Sequence, residues 1–400
     1  MHVSIVGAGV IGVSTAYYLS QRGIPVTVFE RNDTAGAGTS FANGGQLSYT
    51  FSDALASPGF LKRIPALLAH RDIGTRIQLS PRFMRWGFGF LAQCTRERND
   101  ANTLATFRDA LQSADLMTAL REHTGIDFDH KRAGKMILLY SNKQIHDAQH
   151  GIAIKSELGC DNKLLSYEET VDVEPAIMEF IHKPLASVYS PGDEVGDAYL
   201  FCEAMRTWLE ANTDTRFQLG TNVDNLIIDG SRVRGLEVDG EHLETDAVVL
   251  CAGVHSPALA PHLRLPIEPM RGYSLTLPPG EVAPSVSITV LDRHFVFSRL
   301  GDRMRIAGFA DFRGYREGNV AERVAELRTT AQQVGPLAAD FSAASQCDWS
   351  DVRPMTPDSR PRIGRTDLDG LYTNTGHGML GWTLACVSGD SLAKTVAEDL

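Results

Sequence analysis

Three things are scarce in this sequence, and each scarcity excludes something. Its six cysteines, Cys94, Cys160, Cys202, Cys251, Cys347 and Cys386, are scattered through 400 residues with no C-x-x-C pair and no histidines at zinc-ligand spacing. That excludes a disulfide scaffold or a structural zinc site and points to free, mostly buried thiols in a reducing compartment. Positive charge is short as well: 38 Lys and Arg against 49 Asp and Glu leave a formal net charge of −11, so the basic field of nonspecific nucleic-acid binding is missing. No apolar run is long enough to cross a bilayer. The apolar opening "VSIVGAGVIGVSTAYYL" lacks the basic n-region of a secretory leader and is broken by three glycines. A cytoplasmic protein is expected, with a peripheral place on the inner face of the membrane left open. What remains is an ordinary globular composition, 43% hydrophobic and 22% charged, in a chain too long for one comfortable core. Two domains are expected.

The first thirty residues carry a dinucleotide fingerprint. The β-branched run Val3 to Val6 feeds Gly7-x-Gly9-x-x-Gly12, a helix follows to Gly23, and "PVTVFE" is a second buried strand ending at Glu30. Gly7 permits the turn, Gly9 lets a pyrophosphate approach the backbone, and Gly12 lets the helix pack on the strand. Glu30 would accept from a ribose hydroxyl, which argues against a 2′-phosphate and so against NADP. NAD and FAD both use this motif, and it does not separate them.

Beyond Glu30 the chain spends Arg31 to Ser48 on a polar, glycine-rich loop instead of returning to a helix, as if built to lie along an extended ligand. Helical patterns follow in "FLKRIPALLAH", "SPRFMRWGFGFLAQC" and "TLATFRDALQSADLMTALREH", with Ser80 and Pro81 as N-cap and first helical position. Short β runs at "GKMILLY" and "LASVYS" flank a helical segment. A helix at "DAYLFCEAMRTWLEAN" leads into strands with turns at Asp229-Gly230 and Asp239-Gly240. The buried run Ala247 to Cys251 reads as the far side of the first parallel sheet. Residues 263 to 349 are strand-rich, with one helix near Val320 to Gln333. The expected fold is α/β: a Rossmann-type dinucleotide domain from 1–50, 190–262 and 350–400, and a discontinuous, antiparallel-sheet α+β substrate domain from 51–189 and 263–349.

Near the end, "TNTGHGMLGWTLA" opens a last helix whose free amides and positive dipole end form an anion site. With the phosphates assigned to the first helix, the group left to serve is the N1 and O2 edge of a flavin, which becomes negative on reduction.

Taken together, the fingerprint with Glu30, "TSFANGGQLS", "DAVVLCAG", "RGYSL", "VRPMTPDSRPRIG" and "NTGHGMLGWTLA" resemble the D-amino acid oxidase and glycine oxidase superfamily of FAD enzymes, most closely its bacterial D-amino acid dehydrogenase branch, over essentially the whole chain. The resemblance implies a noncovalent FAD stretched across the sheet. Gly7, Gly9, Val10, Ile11 and Gly12 would face the phosphates, with Glu30 and Arg31 at the ribose. Thr39, Ser40, Asn43, Gly44, Gly45, Gln46 and Leu47 would line pyrophosphate and flavin. Val223 would hold the adenine side by its backbone, and Cys251, Ala252 and Gly253 would pass the adenosine half. Gly376, His377, Gly378, Met379, Leu380, Gly381, Trp382 and Thr383 would meet the flavin.

An amino acid carboxylate needs a fixed cation, best the planar fork of arginine, and Arg353 matches the carboxylate-binding arginine of glycine oxidase-like enzymes. Tyr273 is expected to offer a hydroxyl or aromatic wall, with Arg271 pointing the same way. His294 falls on a β run that similar enzymes place beside the flavin, and His377 and Gln46 complete the candidate site. Glycine oxidase-like chains carry a second arginine where this one has Met379, which implies a larger, more apolar substrate than glycine.

The implied chemistry is oxidative deamination of a D-amino acid to a 2-oxo acid and ammonia, by hydride transfer from Cα to flavin N5. Electrons would pass to a quinone, an artificial dye or another acceptor than O₂. An oxidase using O₂, a hydroxyproline or other secondary-amine dehydrogenase, and a flavin-binding redox sensor without turnover are the alternatives. Residues 61–98 hold Lys62, Arg63, Arg71, Arg76, Arg82, Arg85, Arg96 and Arg98 against Asp72 and Glu97, interleaved with aromatics. Such a segment is either a membrane-surface helix serving quinone or a core-facing helix with a solvated basic face.

Overall fold

Parallel strands buried on both faces need continuous apolar runs, and the first sheet is built from them. The computed structural model describes residues 2–69 and 72–399, so Arg71 of the basic segment lies outside it. Its six-stranded sheet runs Arg362–Arg365, Leu371–Thr375, Ala247–Leu250, Val3–Val6, Val26–Phe29, Arg216–Gln218. All neighbours are parallel except the first pair. Ala247–Leu250 is therefore central, hydrogen-bonded to Val3–Val6 and Leu371–Thr375, and not the far side expected from sequence. Helices Val10–Ser20 and Gly381–Asp399 follow the strands Val3–Val6 and Leu371–Thr375, so both N-termini open at the carboxyl edge of one sheet. They pack closely: a Cβ on Gly389 would lie 2.9 Å from the Ser14 carbonyl.

The second sheet has eight strands, in the order Cys347–Met355, Glu268–Leu277, Arg303–Asp311, Phe295–Leu300, Ser287–Val290, Lys135–Leu139, Ala186–Ser190, Lys163–Ser166. Only the pair Ser287–Val290 and Lys135–Leu139 is parallel. The boundary expected at residue 350 falls inside its edge strand, because all nine residues of Cys347–Met355 pair with Glu268–Leu277.

Side chains alternate across a strand, so register gives this sheet two faces. Tyr273, Leu275, Ile306, Phe297, Ile288 and Met136 share one face and form a core with Val324, Leu327 and Ala331 of helix Val320–Val334. Gly272, Ser274, Arg353, Arg305, Ala307, Val296, Ser287 and Lys135 share the other. That second face meets the loop after Glu30: the Ser274 hydroxyl donates to the Ala42 carbonyl at 2.6 Å. Thr39 Oγ1 donates to the Val352 carbonyl at 2.9 Å.

Helix Pro81–Gln93 starts as expected, the Ser80 hydroxyl accepting from the Phe83 amide. Its Trp86 and Phe90 are buried, stacked 5.0 Å apart, in a cluster with Met270, Phe312 and Met355. The opposite side of the helix is apolar too: Met84, Phe88 and Leu91 are 50%, 68% and 39% exposed.

Candidate active site

In the turn after the first strand, two of the three glycines, Gly7 and Gly12, are dictated by contact. Gly7 has φ +104, and a Cβ on Gly12 would sit 1.8 Å from the Gly7 carbonyl oxygen. No larger residue fits either place. Helix Val10–Ser20 starts at Gly9 with no side chain of its own as cap, and the Ser40 hydroxyl accepts from the Val10 amide at 3.2 Å. Ile11, one turn position on, is partly exposed. Glu30 is buried and its carboxylate is oriented by the Ala8 amide at 2.8 Å and the Asn32 amide at 3.0 Å. Exposed Arg31 follows it. The Thr221 amide donates to the Glu30 carbonyl, drawing buried Val223 alongside. Cys251 and Ala252 turn at Gly253, φ +53, just past the central strand. Burial pushes the Cys251 thiol up to about 12, so it is a packing residue.

The loop from Thr39 lies between the two sheets. Asn43 Oδ1 accepts from the Gly45 amide, closing a tight turn with Gly45 at φ +65. A Cβ on Gly44 would touch Val296 and Ala307 of the second sheet at 3.5 and 3.7 Å. Leu47 is fully buried, and the Ser48 amide donates to Thr383 Oγ1 at 3.0 Å, in the first turn of the last helix. Trp382 Nε1 donates to the Gly196 carbonyl. That helix is preceded by a short 3₁₀ turn over Gly378–Leu380, after Gly376 at φ +81, and Met379 in the turn is 48% exposed.

Arg353 lies on the loop-facing side of the second sheet. Its guanidinium lies against Gly272, where a Cβ would be 2.4 Å from Nη2 and 2.7 Å from Cζ. It keeps some solvent access, yet the surrounding protein desolvates it and pulls its pKa down to about 10. Among the described residues no carboxylate lies within 4 Å of it, whereas Arg323 meets Asp311 at 2.8 Å and Lys155 meets Asp53 at 2.9 Å. An enclosed cation without an anion is costly, and a ligand carboxylate is the natural complement.

The five other candidates are each engaged with protein partners. Tyr273 is on the opposite face from Arg353, its hydroxyl donating to Asp311 Oδ2 at 2.9 Å beneath helix Val320–Val334. One residue of strand parity separates it from the site. Arg271 shares that parity, is buried rather than exposed, and donates to Ser350 Oγ at 3.1 Å. His294 sits in a left-handed turn, φ +57, ahead of strand Phe295–Leu300. Its Nε2 accepts from Arg63 at 3.0 Å and its ring occupies the space above Gly74, so it ties down the segment around residues 63–74. His377 is buried against Ser388 Oγ at 2.8 Å, and burial drives its pKa down to about 3. An imidazole that burial keeps neutral, bonded to Ser388 within the last helix, braces the loop that opens that helix. Gln46 spends both ends of its amide on protein: Nε2 donates to Ser287 Oγ at 2.6 Å, and Oε1 accepts from Lys135 Nζ at 3.1 Å.

Gly272 and Lys135 escaped the sequence reading. Only strand pairing reveals that Gly272 makes room for Arg353. Lys135 could have been noticed as a lone charge opening the apolar run "KMILL".

Two helix starts on one sheet edge, with the glycine-rich loop Asn43–Leu47 bonded to the second of them through the Ser48 amide, form a site whose residues fit FAD. A model of the family described as "DAO: FAD dependent oxidoreductase" matches residues 2–395. The chain is 37% identical over 411 residues to "D-amino acid dehydrogenase 2" of Ralstonia nicotianae, covering 100% of this chain and 97% of that one. It is 39% identical over 402 residues to the protein of the same name from Pseudomonas aeruginosa, at 99% and 95% coverage. The solved L-proline dehydrogenase of P. horikoshii shares the fold, with TM-score 0.78 at 20% identity, covering 99% of this chain and 93% of that one. Matched by that model from end to end, the chain belongs to the DAO family of FAD-dependent oxidoreductases.

Proposed function

We propose that this protein oxidises D-amino acids to 2-oxo acids and ammonia and passes the electrons to a quinone or another acceptor than O₂. The observation that carries it is Arg353, a desolvated guanidinium with no carboxylate of its own beside the glycine loop, in a chain 37–39% identical over its full length to proteins named D-amino acid dehydrogenases.

FAD, when bound, supplies the hydride acceptor. Arg353 holds the substrate carboxylate with its forked N–H groups, and flat Gly272 leaves the guanidinium room to do so. The cluster of Trp86, Phe90 and Met270, next to Arg353 along the strand pairing, excludes water and favours apolar side chains. Half-exposed Met379 adds another apolar surface at the loop. A neutral amine loses hydride from Cα, leaving an iminium that water converts to 2-oxo acid and ammonium. Orientation carries this step, so no side-chain base is needed. Glu30, Ser40 and the Gly7–Gly12 turn hold the nucleotide half of the cofactor, and the loop Asn43–Leu47 with Gly378–Thr383 hold the flavin half. The nucleotide-binding part of the chain corresponds to 1–50, 190–262 and the residues after Met355, and the remainder binds substrate.

Anaerobic mixing of the yellow protein with D- and L-amino acid panels tests this reading: D-amino acids with apolar side chains bleach the flavin. Bleaching by no D-amino acid overturns it. Subsequent reoxidation is expected to be fast with a quinone analogue and slow with O₂; the reverse makes it an oxidase.

The outward stripe Met84, Phe88 and Leu91, with exposed Arg85 and Arg96 near it, supports delivery of electrons at an anionic membrane surface. Low-salt flotation on anionic liposomes is expected to depend on Phe88 and to fail for Phe88→Ser. Equal flotation of both proteins sinks the membrane contact.

A further inference from the structure

Among the described residues, Lys135 is, with Arg353, a second enclosed cation on the loop-facing side of the large sheet that no carboxylate meets within 4 Å. It is 4% exposed. Its Nζ donates to Ser48 Oγ at 2.7 Å and to Gln46 Oε1 at 3.1 Å, and lies 4.6 Å from the centroid of the Phe51 ring. The charges around it are few. Lys155 is engaged with Asp53 at 2.9 Å. Asp193, buried, takes the Thr50 amide on Oδ1 and leaves Oδ2 without a partner. Desolvation pulls Lys135 down to about 8 and pushes Asp193 up to about 6, and each is the other's main opposing charge.

A merely structural lysine would be expected to find a carboxylate, as Lys155, Arg305 and Arg323 do. Lys135 instead grips two residues of the loop proposed to hold the flavin. One of them, Ser48, is bonded through its amide to Thr383 in the first turn of the last helix. The ammonium and the positive end of that helix thus reach the same loop from opposite sides.

We propose that Lys135 is a positioning residue for flavin reduction, its ammonium fixed by Gln46 and Ser48 so that it stabilises the negative charge the isoalloxazine gains. The hydride brings two electrons and one proton from Cα; the substrate departs as an iminium cation and the flavin becomes one unit more negative. A fixed positive charge nearby favours that state. The inference rests on FAD lying along residues 43–48, and its test reads the cofactor directly.

The experiment measures the FAD midpoint potential by dye equilibration, and the affinity for sulfite, on purified holoenzyme. Sulfite adds its sulfur lone pair to the oxidised flavin, with nothing leaving, and so reports stabilisation of an anionic ring without any substrate. Lys135→Met is expected to lose at least tenfold in sulfite affinity and to fall by about 30 mV, the equivalent of tenfold for a two-electron couple. Lys135→Arg is expected to stay within threefold of the parent. Asp193→Asn, which removes the nearest opposing charge, is expected to shift both readings the other way, and it keeps the test decisive if Lys135→Met does not fold. Unchanged sulfite affinity and potential in whichever of Lys135→Met and Asp193→Asn retain flavin overturn the proposal, even if melting temperature drops. A parent protein that binds no FAD overturns the cofactor reading instead.

Discussion

Two sets of enclosed cations, Arg323 against one face of the eight-stranded sheet and Arg353 with Lys135 on the other, treat charge in opposite ways. On the helix-covered face, Arg323 is 1% exposed and saturated: Asp311 accepts from Nη2 at 2.8 Å and Nε at 3.1 Å, Glu326 from Nη1 at 2.6 Å, and the Phe309 ring lies 4.2 Å below. On the loop-facing side, Arg353 and Lys135 are desolvated with no carboxylate of the described residues within 4 Å, and Arg305 leans on Asp197 at 3.6 Å. The lesson is general. A buried ion pair belongs to the fold, since each charge is matched within the chain, whereas a buried charge left open is matched by something that arrives.

That contrast can be broken by substitution. Arg323→Met leaves Asp311 buried without its cation and is expected to cost about 3–5 kcal/mol of stability, read as a large drop in melting temperature with amino acid KM unchanged in the folded fraction. Arg353→Met should do the reverse. It removes an unmatched charge, so melting temperature holds or rises, while kcat/KM falls by roughly 100-fold, about 3 kcal/mol; flavin content measured by absorbance stays stoichiometric. Gly272→Ala sharpens the same point without touching a charge. Its methyl would displace the guanidinium it now accommodates, and KM for the amino acid is expected to rise roughly tenfold, about 1.4 kcal/mol, with kcat nearly constant. Tyr273→Phe is the mildest. Loss of one hydrogen bond to Asp311 should cost about 1 kcal/mol in a denaturant melt, and steady-state rates should not move. A large loss of rate would return Tyr273 to the active site.

Legibility followed locality. The Gly7–Gly12 turn, Glu30, the Ser80 cap and the start of the last helix are decided by residues within a few positions of one another, and each was readable from the chain. Arg353 was placed by resemblance, and the structure added why it is available: no carboxylate among the described residues comes within reach. The partners of Tyr273 and Gln46 escaped the sequence for a different reason. Both belong to the right segments, but whether a side chain faces a cleft or a core turns on strand parity and on partners 38 and 241 residues away. For His377 the sequence leaves a structural and a catalytic reading open, and its burial against Ser388 favours the structural one.

What the sequence determined by itself, then, is the class of fold and the two glycine-rich helix starts at one sheet edge, because backbone conformation and helix-end electrostatics are set by neighbouring residues. Tertiary structure alone decided that Cys347–Met355 closes the substrate sheet, that Gly272 yields space to Arg353, and that Lys135 reaches Gln46 and Ser48. Those are matters of register and of unmatched charge, and both arise only when distant segments are brought into contact and water is removed.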